Sequence, residues 1–240
     1  MSLAGVTWEV AVARVDGGTA FFSDQLDRVN AENYDGPSVL DGWSRRVLIA
    51  HVTRNAMALT NLCNWAISGE ECPMYASPED RQRGIDEYAA MSEDRQRERF
   101  NTTASVLREQ LDRLSAGGLL EFTVRTARGR EVPVREVAVM RAKELWIHGV
   151  DLDLGAGFDE LPRGYLIELL DELVLTLSSR AEPTGVEIRL TDLGDSRASA
   201  NAPEGVVSGT LSAVVAWLSG RSSGQGLEFD RVNPVLKPWF

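Results

Sequence analysis

The chain has 240 residues, of which 43% are hydrophobic and 25% are charged, and its formal net charge at pH 7 is −11. This length allows one large domain or two modest ones, and the hydrophobic content is that of a packed globular protein. The negative charge opposes non-specific binding to nucleic acid or to an anionic membrane surface, because both require basic patches. We therefore expect no nucleic acid and no membrane among its partners.

The apolar runs, such as residues 47–50 and 173–177, are short and bounded by charged residues. None approaches the roughly 20 apolar residues of a membrane span. Residues 1–15 include Glu9 and lack the basic start and long apolar stretch of a signal peptide. The two cysteines, Cys63 and Cys72, cannot build a disulfide framework, and their spacing fits no common zinc motif. The sequence predicts a soluble, cytoplasmic protein whose cysteines have no special role.

Most of the first 155 residues have a helical pattern of apolar positions, broken by turn-forming residues. Ser44 is a plausible N-cap for the second helix, which ends before Gly69, and Ser92 is a plausible N-cap for the fourth. Apolar and polar residues alternate within 119–132 around an Arg128-Gly129 turn, which predicts a small hairpin or an extended excursion. Pro133 is expected to start the fifth helix. The predicted helices cover residues 8–29, 45–68, 79–91, 93–114 and 133–152.

A stretch rich in glycine, residues 154–161, is followed by Pro162 and has the composition of a domain boundary. We place the boundary near residue 156, which gives domains of residues 1–156 and 157–240. The second part has a helix at 162–180, strands at 185–190 and 205–207, and a helix at 211–218. This mixed order predicts a small α+β domain beside a helical bundle.

Histidine occurs only at positions 51 and 148, in both cases within a predicted helix and among apolar residues. Glu144 and His148 are four residues apart, so both side chains lie on one helix face. His51 would reach them from a neighbouring helix, and the core of a helical bundle is a common place for such a metal site. Two imidazoles and one carboxylate leave one coordination position open, which is the pattern of catalytic zinc.

The spacing of His51, Glu144 and His148 alone is compatible with interpretations other than a zinc site. Pairs such as Glu144 and His148 are frequent on helices as simple side-chain contacts, so the three residues can share a helical protein by chance. The same ligand set can also bind ferrous iron. Asp151, three residues after His148, either orients a ligand imidazole or has an ordinary role at a helix end.

Four segments carry a resemblance to a known family. They are VLDGW at residues 39–43, LIAHVTRNAMAL at 48–59, GEECPMYASPEDR at 69–81 and MRAKELWIHGVDL at 140–152. With these segments the chain resembles the mycothiol-dependent maleylpyruvate isomerase family over most of its first 155 residues. The resemblance implies an α+β protein with an N-terminal DinB-like four-helix bundle that carries zinc, followed by a smaller C-terminal α+β domain.

The resemblance also implies site residues. The zinc ligands of the family correspond to His51, Glu144 and His148. In the second domain, VSGTL at 207–211 and WLSGR at 217–221 look like the family's tail with its functional arginine, which implies a catalytic role for Arg221. A cation that stabilises a helix end is the structural alternative for Arg221.

The implied activity is the cis-trans isomerisation of maleylpyruvate to fumarylpyruvate in the gentisate route of aromatic degradation, with zinc and mycothiol as cofactors. Thiolate addition makes the double bond transiently single, and rotation and thiol loss give the trans product. Zinc would favour the thiolate, and Arg221 would stabilise the enolate. We expect a monomer that binds a small dicarboxylate and mycothiol, with its active site between the two domains.

Two rival functions remain at this point. One is another mycothiol-dependent S-transferase, which would conjugate the thiol to an electrophile with the same zinc site, because fold and metal do not fix the substrate. The other is a non-catalytic thiol or metal sensor, which would bind metal without turnover. A purely structural zinc site is disfavoured, since only three protein ligands are evident.

Overall fold

The computed structural model describes residues 5–177, 181–182, 185–199, 203–231 and 234–236. The chain forms two compact units. The first comprises Thr7–Ala156, and the second comprises the described residues from 157 onward together with residues 5–6. The first unit is mainly helical, and the second unit contains a sheet covered by helices. This architecture confirms the predicted α+β class. None of the described helices combines the length and hydropathy needed to cross a bilayer.

The first unit is a four-helix bundle with one additional helix. Helix α1 packs against α5, and α2 packs against both α4 and α5, which makes the four-helix arrangement. The short helix α3 lies against α2. The helices are α1 Trp8–Leu26, α2 Arg45–Ser68, α3 Pro78–Ala89, α4 Glu93–Ala116 and α5 Glu136–Asp151.

Local sequence sets the ends of these helices. The Ser44 side chain accepts a hydrogen bond from the Val47 N–H at the start of α2, and Gly69 ends the helix with a positive φ of 77°. Such a left-handed residue after a helix favours glycine. Ser92 caps α4 in the same way as Ser44 caps α2. Both predicted serine caps are therefore confirmed.

The predicted start of α5 at Pro133 is wrong. The hairpin consists of β1 Thr123–Arg125 and β2 Glu131–Pro133, and Thr123 is paired with Pro133 in its register. Because Pro133 still belongs to the strand, the helix begins only at Glu136, after the buried side chain of Val134 has joined the core. The hairpin itself confirms the prediction for residues 119–132.

The second unit is built on a four-stranded sheet in the order β5-β4-β6-β7. The central strands β4 and β6 are parallel, with Ile188 opposite Val207, and both outer pairs are antiparallel. Helices α6 and α7 pack against each other, and α7 also contacts β4 and β6. The elements are a 3-10 helix Phe158–Glu160, α6 Arg163–Leu177, β3 Ala181–Glu182, β4 Val186–Leu190, β5 Asp195–Ala198, β6 Gly205–Gly209, α7 Leu211–Leu218, β7 Glu228–Phe229 and β8 Val235–Leu236.

The predicted helices and strands of this unit are present, and α7 has the predicted bounds. Residues 178–180, the predicted end of α6, lie outside the described residues. The edge strands β5 and β7 were not predicted. They are short and largely solvent-exposed, so they lack the apolar alternation that marks a strand in a sequence.

Candidate metal centre

His51, Glu144 and His148 converge inside the first unit. Nε2 of His51 lies 2.9 Å from Oε2 of Glu144, and Nε2 of His148 lies 3.3 Å from the same oxygen. One nitrogen or oxygen atom of each residue lies within 4.8 Å of those of the other two. The structure thus brings together the three side chains that the sequence selected as metal ligands.

Two buried arginines fix the register of α2 against α5 on either side of this cluster. Arg45 donates from Nε to the carbonyl of Leu152, over 2.6 Å, just beyond the end of α5. Arg141, one turn before Glu144, donates to the carbonyl of Val52 over 2.7 Å. Both bonds lie close to the candidate ligands. They therefore fix the position of His51 on α2 relative to Glu144 and His148 on α5.

A fully buried carboxylate orients one of the two imidazoles. Nδ1 of His148 lies 2.8 Å from Oδ2 of Asp151, which is 0% exposed. With Nδ1 donating to this carboxylate, Nε2 points at Glu144 and is the ring nitrogen that would bind a metal. Such a carboxylate behind a metal-binding histidine fixes its tautomer and ring orientation. The orienting contact considered for Asp151 is therefore present.

The other imidazole has a different neighbour. Nη2 of Arg81, in α3, lies 3.3 Å from Nδ1 of His51. A guanidinium only donates hydrogen bonds, so in this arrangement Nδ1 of His51 accepts and Nε2 donates to Glu144. Metal binding at Nε2 requires the tautomer with the proton on Nδ1, and Arg81 would then have to move away from that nitrogen. The indole of Trp43 packs edge-on against the same ring, with 5.3 Å between ring centroids. Sequence reasoning missed Arg81, although it lies in one of the segments that carry the family resemblance.

The electrostatics of the cluster follow from its burial and its charges. Burial lowers the pKa of His51 and outweighs the opposing effect of Glu144. Burial alone would raise the pKa of Glu144, but the two imidazoles hold it well below its ordinary value. Burial also opposes the charged form of His148, yet the hydrogen bonds to Asp151 and Glu144 raise its pKa to about 9. Glu144 is therefore an anion at neutral pH.

The cluster fits a zinc ion. Imidazole nitrogens and a carboxylate oxygen are donors that zinc prefers, and three of them leave one position for another ligand. The side chains of His51 and His148 are 9% and 4% exposed, whereas that of Glu144 is 21% exposed. The donors are therefore buried enough to be held in place, and the Glu144 side remains accessible to solvent.

Arg221, the predicted catalytic cation, belongs to the second unit. It follows α7, where its backbone N–H bonds the carbonyl of Ala216 over 2.8 Å. Its guanidinium donates to the carbonyl of Ser219 over 2.7 Å. These contacts are also what the structural alternative, a cation near a helix end, would produce.

Comparisons with known proteins agree on one family. The family model described as the mycothiol maleylpyruvate isomerase N-terminal domain matches residues 15–153. The chain is similar to the crystal structure of a mycothiol-dependent maleylpyruvate isomerase and to that of a histidine-to-alanine mutant of this enzyme. In both cases the identity is 32%, the match covers 100% of each chain, and the TM-score is 0.88. No curated protein sequence gives a significant match.

Proposed function

The chain belongs to the mycothiol-dependent maleylpyruvate isomerase family, and on that basis we propose that it catalyses the mycothiol-dependent conversion of maleylpyruvate to fumarylpyruvate. The observation that carries the proposal is the convergence of His51, Glu144 and His148 in a chain that is similar over its whole length to such an enzyme. We propose these three residues as zinc ligands, within a metal-binding domain of residues 1–156. Residues 157–240 would form the second domain.

The proposed isomerisation adds no atoms to the substrate and neither oxidises nor reduces it. The thiolate adds to one carbon of the cis double bond, and the electron pair of that bond moves onto the neighbouring carbonyl as an enolate. Rotation about the resulting single bond, return of the electron pair and loss of the same thiolate give the trans product. The thiol is regenerated, so it acts as a cofactor.

Zinc, when bound, would favour the deprotonated form of a coordinating thiol at neutral pH. The protein's own residues prepare this site. Asp151 orients the His148 ring, and Arg45 and Arg141 fix the two helices that carry the ligands. We propose that Arg221 supplies a fixed positive charge to the dianionic substrate and to its enolate, because a preorganised cation stabilises charge that develops in a transition state.

The cysteines of the chain support the use of an external thiol. Neither Cys63 nor Cys72 belongs to the cluster. Cys63 is buried in α2, and burial raises the pKa of its thiol to about 12. Such a thiol is almost entirely protonated at neutral pH and is a poor nucleophile.

The decisive experiment measures turnover of maleylpyruvate, followed as loss of the absorbance of the cis enol. The zinc-loaded protein is assayed with and without mycothiol, and again after the metal has been removed by a chelator. Turnover that requires both zinc and mycothiol is the expected result. Absence of turnover despite bound zinc would contradict the isomerase and favour another mycothiol-dependent S-transferase.

We expect a cytoplasmic monomer, and sedimentation analysis checks the oligomeric state.

A further inference from the structure

A cavity of about 420 Å³ lies in the first unit, between the end of α2, the loop before α3 and the β1–β2 hairpin. Its apolar wall includes the side chains of Trp65, Met74 and Tyr75. Its polar wall includes Glu71 and Thr126. The lining therefore combines aromatic side chains with hydrogen-bonding groups, as binding pockets for organic ligands do.

The cavity shares a wall with the metal centre. Arg81 lines the cavity and also places Nη2 3.3 Å from Nδ1 of the ligand candidate His51. Tyr75 lines the cavity as well and is hydrogen-bonded to Arg81. A molecule in the cavity can therefore contact the residue that touches His51.

Resting on the function proposed above, we propose that this cavity binds the sugar portion of the thiol cofactor. Mycothiol is a cysteine derivative attached to a glucosamine–inositol unit, so it combines one sulfur with two polyhydroxylated rings. Aromatic side chains such as Trp65 and Tyr75 offer flat apolar faces to the C–H faces of such rings. Glu71 and Thr126 offer hydrogen-bond partners to hydroxyl groups.

The wall carries the cations Arg81 and Arg125 and the carboxylate of Glu71, and both arginines already have protein partners. The guanidinium of Arg125 is already close to two carboxylates, at 3.7 Å from Glu71 and 3.8 Å from Glu131. The carboxylate of Glu71 accepts hydrogen bonds, which the hydroxyl groups of a sugar can donate. The volume of about 420 Å³ is that of pockets which hold drug-sized ligands, and a two-ring sugar belongs to that size class.

The hairpin turn offers a lining residue at which a bulky substitution can be introduced away from the metal centre. Ala127 lines the cavity, and its N–H donates to Sδ of Met74 over 3.2 Å. Its neighbour Arg128 occupies the same exposed turn but does not line the cavity. Ala127→Trp is therefore the test variant, and Arg128→Trp is the matched control. Glu71→Ala, in an exposed loop residue, is a second variant that removes a hydroxyl acceptor.

The probe is glucosaminyl-inositol, which lacks the thiol, and its binding to the zinc-loaded protein is measured by saturation-transfer NMR and calorimetry. We expect saturable binding to the wild type and to Arg128→Trp, and affinity reduced about tenfold or more in Ala127→Trp and measurably in Glu71→Ala. In turnover assays, Ala127→Trp should raise KM for mycothiol and leave KM for maleylpyruvate unchanged, with normal zinc content.

Two results would overturn the assignment of the cavity: no binding of the probe to the wild type, or equal binding to the wild type, folded Ala127→Trp and Glu71→Ala. These results are distinct from failure of the proposed function. If the probe binds as expected but maleylpyruvate is not isomerised, only the substrate assignment fails. If mycothiol-dependent turnover occurs without probe binding, only the cavity assignment fails.

Discussion

The carboxylate of Asp151 lies 2.8 Å from Nδ1 of His148 and is completely buried. Both residues are in α5, three positions apart, so the contact forms within a single helix turn. It directs Nε2 of His148 toward Glu144, at 3.3 Å. The orientation of this imidazole is thus determined before any metal binds.

Replacement of Asp151 by Asn should weaken zinc binding by about 10- to 100-fold, because the buried charge that orients His148 and raises its basicity is lost. Zinc affinity is measured by competition with a chromophoric chelator. The control is Asp24→Asn, since Asp24 is a solvent-exposed aspartate of α1. Equal zinc affinities for the wild type and Asp151→Asn would show that this contact does not support the metal.

His51→Ala should abolish stoichiometric zinc binding, because it removes one of only three proposed protein ligands. Alanine is a favourable residue inside a helix, so α2 should remain intact. Metal content after dialysis and the far-UV circular dichroism spectrum check the two expectations. Normal zinc content in a folded His51→Ala protein would refute the proposed ligand set.

Arg221→Ala should lower kcat/KM by about 10²- to 10³-fold while zinc content stays normal, because one preorganised charge near a developing enolate has this effect. Arg221→Lys should recover part of the loss. Arg189→Ala removes a solvent-exposed arginine of the same unit and should have no effect. If Arg221→Ala and Arg189→Ala behave alike, the arginine has only a structural role at the end of α7.

Cys63 should resist alkylation in the folded protein at pH 8, because burial raises the pKa of its thiol to about 12 and the thiolate is the reactive form. Partly exposed Cys72 should react. Mass spectrometry of iodoacetamide-treated protein distinguishes the two sites, and denatured protein should react at both. Cys72→Ser should retain full activity if the catalytic thiol comes from outside the chain.

Gly149→Ala should lower the free energy of unfolding by about 1–3 kcal/mol, since the core at this position has no room for a methyl group. A Cβ at Gly149 would lie 2.5 Å from the ring of Phe21 in α1, and that ring stacks on Trp146. Gly164→Ala is the control, because its Cβ would meet no atom within 4 Å. Thermal denaturation followed by circular dichroism should show a lower midpoint for Gly149→Ala alone.

The helices that carry the metal centre were predictable because their signals are local. Ser44 and Gly69 mark the ends of α2 through backbone requirements that any helix has. The three candidate ligands could be selected from the sequence because the chain has only two histidines, and one of them lies a helix turn from a glutamate. The family resemblance then selected zinc from the alternatives that spacing left open.

Other features depend on contacts that the sequence does not encode locally. Arg81 reaches His51 only because α3 packs on α2, and it is one of many arginines in the chain. The strand pairing of Pro133 depends on its partner Thr123, so the residue looks like a helix start when taken alone. Arg141 is a charged residue in the core, and its role in holding α5 to α2 was not predicted.

The position of Arg81 has a thermodynamic consequence. One guanidinium forms part of the cavity wall and contacts the metal-ligand candidate His51. Any cavity ligand that alters this contact must change the affinity for the metal, and the metal must change the affinity for that ligand by the same factor. Occupancy of the cavity and occupancy of the metal centre are then reciprocally coupled through a single side chain.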